Sequence, residues 1–383
     1  MDVTRAAGPD TLRRRTSEKW ASHPSDVLPM FIAETDFPLA PPIAAALHEA
    51  VDLGDTGYVR FGDAGVFEAF AGFAADTWNW RPDPDGMAVT TDVSVVIVEA
   101  LRRLVAPGDG VIIMPPVYPP FFDLLPEAGA TVVEVPLLDD GTDWSMDLAG
   151  IDAAMAAGAA GVLLCHPHNP LGLVHGREQL EQLAAIVERH GGFVVSDEIH
   201  APLTHRGVEF VPYLSVSPAA ANHGIAAESG SKAFNLAGLK TALFVTASEP
   251  MATLVGSLPA EVTYRAGQFG LIATRVGFSR CRDWLAGTIA SIESNVDLLR
   301  TELASSLPAV TFRRPAASYL AWLDMRALGW GDDPAQVALE RAGVALSSGP
   351  TFGRPGNGFA RMNLGCAPDT IADAVGRLAR AAG

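Results

Sequence analysis

Lys232 sits in the run Ser229-Gly230-Ser231-Lys232-Ala233-Phe234-Asn235, directly after the apolar, strand-like segment Gly224-Ile225-Ala226-Ala227-Glu228. A lysine among small and hydroxylated residues at a strand end is suited to covalent work. Its amine can form a Schiff base with an aldehyde cofactor, and nearby hydroxyl and N–H groups can hold a phosphate. Upstream, Asn169 stands in His168-Asn169-Pro170-Leu171-Gly172 and Asp197 in Ser196-Asp197-Glu198-Ile199-His200, each at the end of an apolar run. An amide, a carboxylate and a lysine in that order suit pyridoxal phosphate (PLP) chemistry.

Residues so far apart need a frame that brings them together. Apolar, strand-like runs occur at 111–114, 131–135, 161–165, 193–195 and 225–227. Between them lie helical patterns, over 95–105 and over 177–190. The second places Leu180, Leu183, Ala184, Ile186 and Val187 on one face. Pro38, Pro41 and Pro42 separate an N-terminal arm from a first helix expected near Ile43. Short apolar strands alternating with amphipathic helices indicate an α/β fold with a mainly parallel sheet covered on both sides. Ligands of such sheets collect at the carboxyl ends of the strands, so Asn169, Asp197 and Lys232 are expected to converge on one crevice. After about residue 275 the pattern changes. A helix expected over 276–307 leads into Ser318-Tyr319-Leu320-Ala321-Trp322-Leu323, which alternates like a strand. The expected organisation is an arm over 1–45 that contributes to the small domain, a large domain over 46–275 and a small α+β domain over 276–383.

Bulk properties exclude several classes. The 383 residues are 49% hydrophobic, with 37 Gly and 28 Pro, which suits a compact, loop-punctuated enzyme. A net charge of −17 argues against nucleic acid or an anionic membrane as partner. The three cysteines, Cys165, Cys281 and Cys366, have no metal-ligand spacing and read as buried thiols in a reducing compartment. No metal site is expected. Residues 1–20 contain Arg13, Arg14 and Arg15 but no apolar core of a signal peptide, and no run approaches a membrane span. A cytoplasmic location is expected.

Nine segments, in order, carry a resemblance to a known family. They are Ser17-Glu18-Lys19-Trp20, Ala33-Glu34-Thr35-Asp36-Phe37, Gly57-Tyr58, Pro115-Pro116-Val117-Tyr118-Pro119-Pro120-Phe121, the Asn169 and Asp197 segments, Ser231-Lys232-Ala233-Phe234-Asn235-Leu236-Ala237-Gly238-Leu239, Tyr319-Leu320-Ala321-Trp322-Leu323-Asp324 and Gly358-Phe359-Ala360-Arg361-Met362-Asn363. The chain resembles fold type I PLP enzymes, the aspartate aminotransferase superfamily (class I/II). More narrowly it is similar to the cystathionine β-lyase (C–S lyase) branch related to the maltose-regulon modulator protein. The Asp-Glu-Ile-His tetrad and the Pro-Pro-Val-Tyr turn favour that branch.

The resemblance implies a large domain with a seven-stranded-type sheet and a role for each site residue. Lys232 would link to the cofactor and, once freed by substrate, act as base at Cα. Asp197 would pair with the pyridine nitrogen and keep it protonated. Asn169 would donate to the phenolic oxygen, with His200 nearby, and Tyr118 would stack on the ring. Val93 and Ser94, at a helix N-terminus, would hold the phosphate with Ser229, Ser231 and Lys240. Tyr58 would reach the site of a neighbouring subunit, which implies a homodimer with shared sites. Arg361 would clamp the substrate carboxylate with its planar fork.

Some positions depart from the family pattern. Lys240 stands where an arginine is usual and loses the bidentate fork. Asp92 replaces a glycine, and its charge is unwelcome beside a phosphate, so it is expected to point away. Phe210-Val211-Pro212-Tyr213 lacks a histidine common in the branch, and Glu34-Thr35 replaces Asp-Met. The activity implied is β-elimination on cystathionine or a related S-substituted cysteine. The alternatives are an aminotransferase and a regulatory PLP-binding protein.

Overall fold

Alternation within short apolar strands sets the architecture. The computed structural model describes residues 3–60 and 65–383, so residues 1–2 of the expected arm lie outside the described residues. Seven strands form one sheet: Met87–Thr90 (β1), Gly110–Ile113 (β2), Thr131–Glu134 (β3), Ala159–Cys165 (β4), Phe193–Asp197 (β5), Gly224–Glu228 (β6) and Ala242–Val245 (β7). Their spatial order is β1-β7-β6-β5-β4-β2-β3. The five strands from β6 to β3 run parallel, while β7 is antiparallel to both β6 and β1. Alternate residues enter two different cores. Val162, Leu164, Val194, Ala226 and Leu243 join one. Leu163, Cys165, Val195, Ile225, Ala227 and Phe244 join the other. Strands buried on both faces need nearly continuous apolar runs, which is why the central strands were visible in the sequence, whereas β3, at the edge, is partly exposed.

The helices follow from caps and stripes. Pro41–Asp52 (α1) opens on prolines, whose missing N–H is no loss in a first turn. Val66–Trp78 (α2) and α1 both pack against the helix Gln268–Arg280. Val93–Leu104 (α3) is capped by Asp92, which accepts from Val95 N at 3.1 Å. In Arg177–Arg189 (α4) all five residues of the expected stripe are buried. The helix expected over 276–307 is two helices, Gln268–Arg280 (α5) and Arg282–Ser306 (α6), separated at Cys281, whose φ of −116° and ψ of 23° leave the helical region. The apolar spacing continues across this one-residue break, so periodicity alone does not reveal it. Helix α5 presses on the segment that follows β6. A Cβ on Gly270 would lie 2.2 Å from the Leu239 carbonyl oxygen, and one on Gly277 would lie 2.7 Å from the Phe234 ring. Glycine at both positions lets the helix support the turn that carries Lys232.

A second, antiparallel sheet comprises Thr311–Phe312 (β8), Leu320–Asp324 (β9), Ser347–Ser348 (β10) and Phe359–Asn363 (β11), in the order β8-β9-β11-β10. Ala321, Leu323, Ala360 and Met362 form a core with Leu299 and Leu303 of α6 and with the helix Pro368–Ala382 (α7). On the opposite face, Trp322 and Phe359 join the first core of the large sheet. Arg361, registered against Trp322, shares that face and therefore looks toward the large sheet.

An N-terminal strap runs between the two sheets. Met30 N bonds Ala345 O at 2.9 Å, and Asn363 N bonds Met30 O at 2.8 Å. The Ser17–Trp20 and Ala33–Phe37 segments meet here. Lys19 and Asp36 form a fully buried ion pair at 3.0 Å, and Trp20 Nε1 donates to Asp36 Oδ1 at 2.8 Å. Removing one partner would strand a buried charge, at a cost of about 3–5 kcal/mol. Among the described residues no helix is long and apolar enough to cross a membrane.

Candidate active site

Three strand ends and one strand centre meet between the sheets. Asp197 closes β5 and is buried, and its carboxylate accepts from Ile199 N at 3.2 Å. Burial raises its pKa to about 7, opposed by that N–H and by the nearby Lys232 charge. The turn after β6 carries Lys232, whose Nζ donates to the Ala33 carbonyl of the strap at 2.8 Å. Tyr319 Oη donates to the same carbonyl at 2.9 Å. Burial, reinforced by the Arg361 charge and opposed by Asp197 and Glu34, brings the Lys232 amine down to about 8. It is thus an amine that loses its proton near neutrality.

Asn169 follows β4 in a loop tied down by two histidines. His168 Nε2 lies 2.9 Å from Pro116 O and His166 Nε2 lies 3.0 Å from Val211 O. Burial lowers both pKa values to about 4, so both rings are neutral donors. Asn169 Oδ1 accepts from Arg361 Nη1 at 3.0 Å. Arg361 Nη2 also donates to Phe31 O at 3.1 Å and to Ser347 Oγ at 3.0 Å, and the guanidinium lies 5.1 Å from the Phe352 ring centre. Its Nε is buried with no hydrogen-bond partner among the described residues. Burial lowers the Arg361 pKa to about 10, which leaves it charged at neutral pH.

Two rings border this cluster. His200 is buried, with Nδ1 2.9 Å from Ser318 Oγ. Burial and the charges of Lys232 and Arg361 push its pKa well below the usual value, so the ring is neutral. Tyr118 packs edge-on against Phe121 at 5.8 Å between centroids. Burial and the Asp197 charge raise its phenol to about 12, so it is protonated.

The remaining candidates gather at the N-terminus of α3 and in the turn after β6. Val93 and Ser94 are the first residues of α3, where N–H groups have no acceptor within the helix. Lys240 approaches the same helix end, 3.4 Å from Asp92 Oδ2. Asp92 therefore does not point away as expected. One of its oxygens caps α3 and the other faces Lys240. Ser229 Oγ lies 2.7 Å from Thr241 O, 2.8 Å from Ser231 Oγ and 3.0 Å from Ser231 N.

The chain thus brings Lys232, Asp197, Asn169, His200, Tyr118 and Arg361 together and places Val93, Ser94, Ser229, Ser231 and Lys240 beside them. Tyr58 stands apart. It is 91% exposed, with its ring edge-on to Tyr264 at 6.4 Å. Sequence reasoning missed Ser347, which holds Arg361, and Ser318, which holds His200. It also missed the strap carbonyls of Phe31 and Ala33. Serines have many roles and carbonyls have no side-chain signature, so no pattern in the sequence singled them out.

A seven-stranded sheet of this order, with a lysine beyond one strand and an aspartate ending the next, is the frame of a large group of enzymes. Residues 38–378 match the model of the aminotransferase class I and II family, and the chain belongs to that family. Within it the chain falls in the cystathionine β-lyase branch. A Mycobacterium leprae (strain TN) protein, provisionally named a cystathionine β-lyase, is 40% identical over 394 residues, 97% of this chain and 96% of its own. The cystathionine β-lyase PatB of Bacillus subtilis (strain 168) is 32% identical over 357 residues, 92% of each chain. A crystal structure from Corynebacterium diphtheriae, provisionally named a PLP-dependent β-cystathionase, superposes with a TM-score of 0.94 at 31% identity, over 99% of both chains.

Proposed function

We propose that this protein is a PLP-dependent C–S β-lyase that cleaves cystathionine or a related S-substituted cysteine to a thiol, pyruvate and ammonia. The observation that carries this reading is the convergence of Lys232 with buried Asp197, Asn169 and Arg361 between the two sheets, in a chain with full-length relatives named for this activity.

The residues fit the cofactor. The N–H groups of Val93 and Ser94, the hydroxyls of Ser229 and Ser231, and Lys240 suit a phosphate. Asp197, a buried carboxylate with one N–H partner, suits a protonated ring nitrogen. Asn169, with Oδ1 engaged by Arg361, keeps its amide N–H groups for the phenolic oxygen, with His200 beside it. Tyr118 offers a ring face for stacking. When bound, PLP supplies an aldehyde for covalent attachment to amines and a ring that accepts electrons.

The chain's own residues do the rest. Arg361 holds the substrate carboxylate and so fixes which Cα bond aligns for cleavage. Lys232 Nζ, once free, takes the Cα proton. The C–S bond then breaks, the electron pair leaves on sulfur, and Lys232 or Tyr58 protonates the departing thiolate. The released aminoacrylate hydrolyses in water to pyruvate and ammonia.

We read the enzyme as a cytoplasmic homodimer with shared sites. Tyr58 supports this, because a residue 91% exposed beside exposed Leu53 and Val51 suits a role in a neighbouring subunit. Three free, buried cysteines suit a reducing compartment. The two separate sheets, each with its own core, support division into a large domain over 46–275 and a small domain over 276–383 joined by the arm 1–45.

Incubation with cystathionine tests the reaction. Pyruvate and thiol in equal amounts, without added oxo acid, are expected. Conversion that stops at one equivalent of pyridoxamine phosphate would instead assign an aminotransferase.

A further inference from the structure

Behind Asp197, on the other side of the sheet, lie two carboxyl groups that the reaction does not use. Glu228 closes β6, and its register partner on β7 is Leu243, which belongs to the first core. Glu198 follows Asp197, and its N–H bonds Ala227 O at 3.0 Å. Glu198 Oε1 accepts from Ser196 Oγ at 2.8 Å and from Tyr213 N at 2.9 Å. Those contacts put the Glu198 carboxyl on the face of Ser196 and Leu243. Asp197, which alternates with Ser196, uses the opposite face.

Both glutamates are fully buried. Glu198 Oε2 and both oxygens of Glu228 have no donor among the described residues, and neither glutamate has a lysine or arginine partner there. Tyr213, packed against them, has its hydroxyl bonded to His223 at 2.8 Å, and burial keeps that histidine neutral with a pKa of about 4. The two carboxyls lie within hydrogen-bonding reach of each other, and both interact with the Asp197 charge. A buried carboxylate with no donor is far costlier than a buried acid, and two like charges in contact cannot both ionise. Glu228 must therefore carry its own proton. Glu198, with two donors on Oε1, is the better anion, and its free Oε2 is the acceptor for that proton. Burial pushes both pKa values up, that of Glu198 to about 7 and that of Glu228 further.

We propose that Glu228 is a buried carboxylic acid hydrogen-bonded to ionised Glu198, and that this pair stands behind Asp197 as a negative charge that tightens its hold on a cationic ring nitrogen. This rests on the PLP reading above. Glu198 and Glu228 are positioning residues, since they act through Asp197. At the effective dielectric of buried sites, one unit charge a side chain away is worth roughly tenfold in affinity for a cation.

The test uses apo-protein, PLP and the 1-deaza analogue of PLP, which lacks the ring nitrogen. Glu198→Gln is expected to weaken PLP binding roughly tenfold while leaving affinity for the deaza analogue within about twofold. Equal losses for both ligands would mean a merely structural role and overturn the proposal. Glu228→Gln keeps an N–H donor to Glu198 and should bind PLP like the unaltered protein, and a comparable loss there would also count against it. The unaltered holoenzyme supplies a reading that needs no variant to fold. An infrared stretch of a buried, protonated carboxyl should persist at pH 8, and its absence would refute the acid assigned to Glu228. Unaltered protein that binds neither PLP nor its analogue would instead remove the cofactor reading, and this inference with it.

Discussion

Asn169, Asp197 and Lys232 leave the ends of β4, β5 and β6, whereas Arg361 projects from the middle of β11. Strand ends offer turns, free N–H groups and room for a bulky ring. A strand centre offers none of these, but its register fixes a side chain closely. Arg361 is indexed by Trp322 on one neighbour and Ser347 on the other. It is joined to the large sheet by its bond to Asn169. Under the proposed function the two sheets divide the labour: the large one would hold and tune the cofactor, and the small one would orient the substrate. Substitutions on the two sides should therefore fail in different ways.

The largest effect is expected on the large-sheet side. Lys232→Ala should lower turnover by about a thousandfold or more, since it removes the base, and should abolish the covalent visible band of bound PLP. Full turnover in this variant would disprove the covalent mechanism. On the small-sheet side, Arg361→Ala should reduce kcat/KM about a hundredfold by removing charge-assisted bonds to the substrate, while PLP stays bound. Loss of PLP in this variant would erase the division.

The pH dependence of cofactor capture sharpens the cofactor side. Only the neutral amine attacks an aldehyde, and the Lys232 pKa is lowered to about 8. Capture of PLP by apo-protein should therefore accelerate as pH rises toward 8 and level off above it. A rate still climbing near pH 10 would indicate an ordinary lysine. At the seam between the sheets, Asn169→Ala should cost roughly five- to tenfold in both PLP retention and kcat/KM, because it touches both halves. The smallest effect is expected for Ser347→Ala, which removes one of the three hydrogen bonds that hold the Arg361 guanidinium. A rise of a few-fold in KM with kcat unchanged would be read from initial rates.

The same contrast explains what could be read from the sequence. The five parallel strands of the large sheet announced themselves as apolar runs, and their order placed Asn169, Asp197 and Lys232 at one edge, whereas Met87–Thr90 and the antiparallel Ala242–Val245 were not read from the sequence. Arg361 was legible only through a resemblance, because a five-residue strand that buries Arg361 and Asn363 along with its apolar residues has little pattern of its own. The break at Cys281 was invisible because the apolar spacing on its two sides stays in phase. Asp92 was expected to point away on grounds of charge, yet helix capping and Lys240 hold it at the start of α3. Ser347, Ser318 and the strap carbonyls were missed because they act through other side chains or through backbone atoms.

The strap has a practical consequence for anyone altering this protein. Its carbonyls at Phe31 and Ala33, two residues apart, receive Arg361 and Lys232, while those at Ile32 and Glu34 receive Asn363. The pattern is a ruler written in main-chain oxygens. Side chains along it can be exchanged without touching these acceptors, but its length cannot. Inserting or deleting a single residue between 31 and 34 would offer each donor the wrong oxygen, and removing the strap would strip both cations of a partner at once. Tags and fusions are therefore best attached at the far end of the chain, after α7.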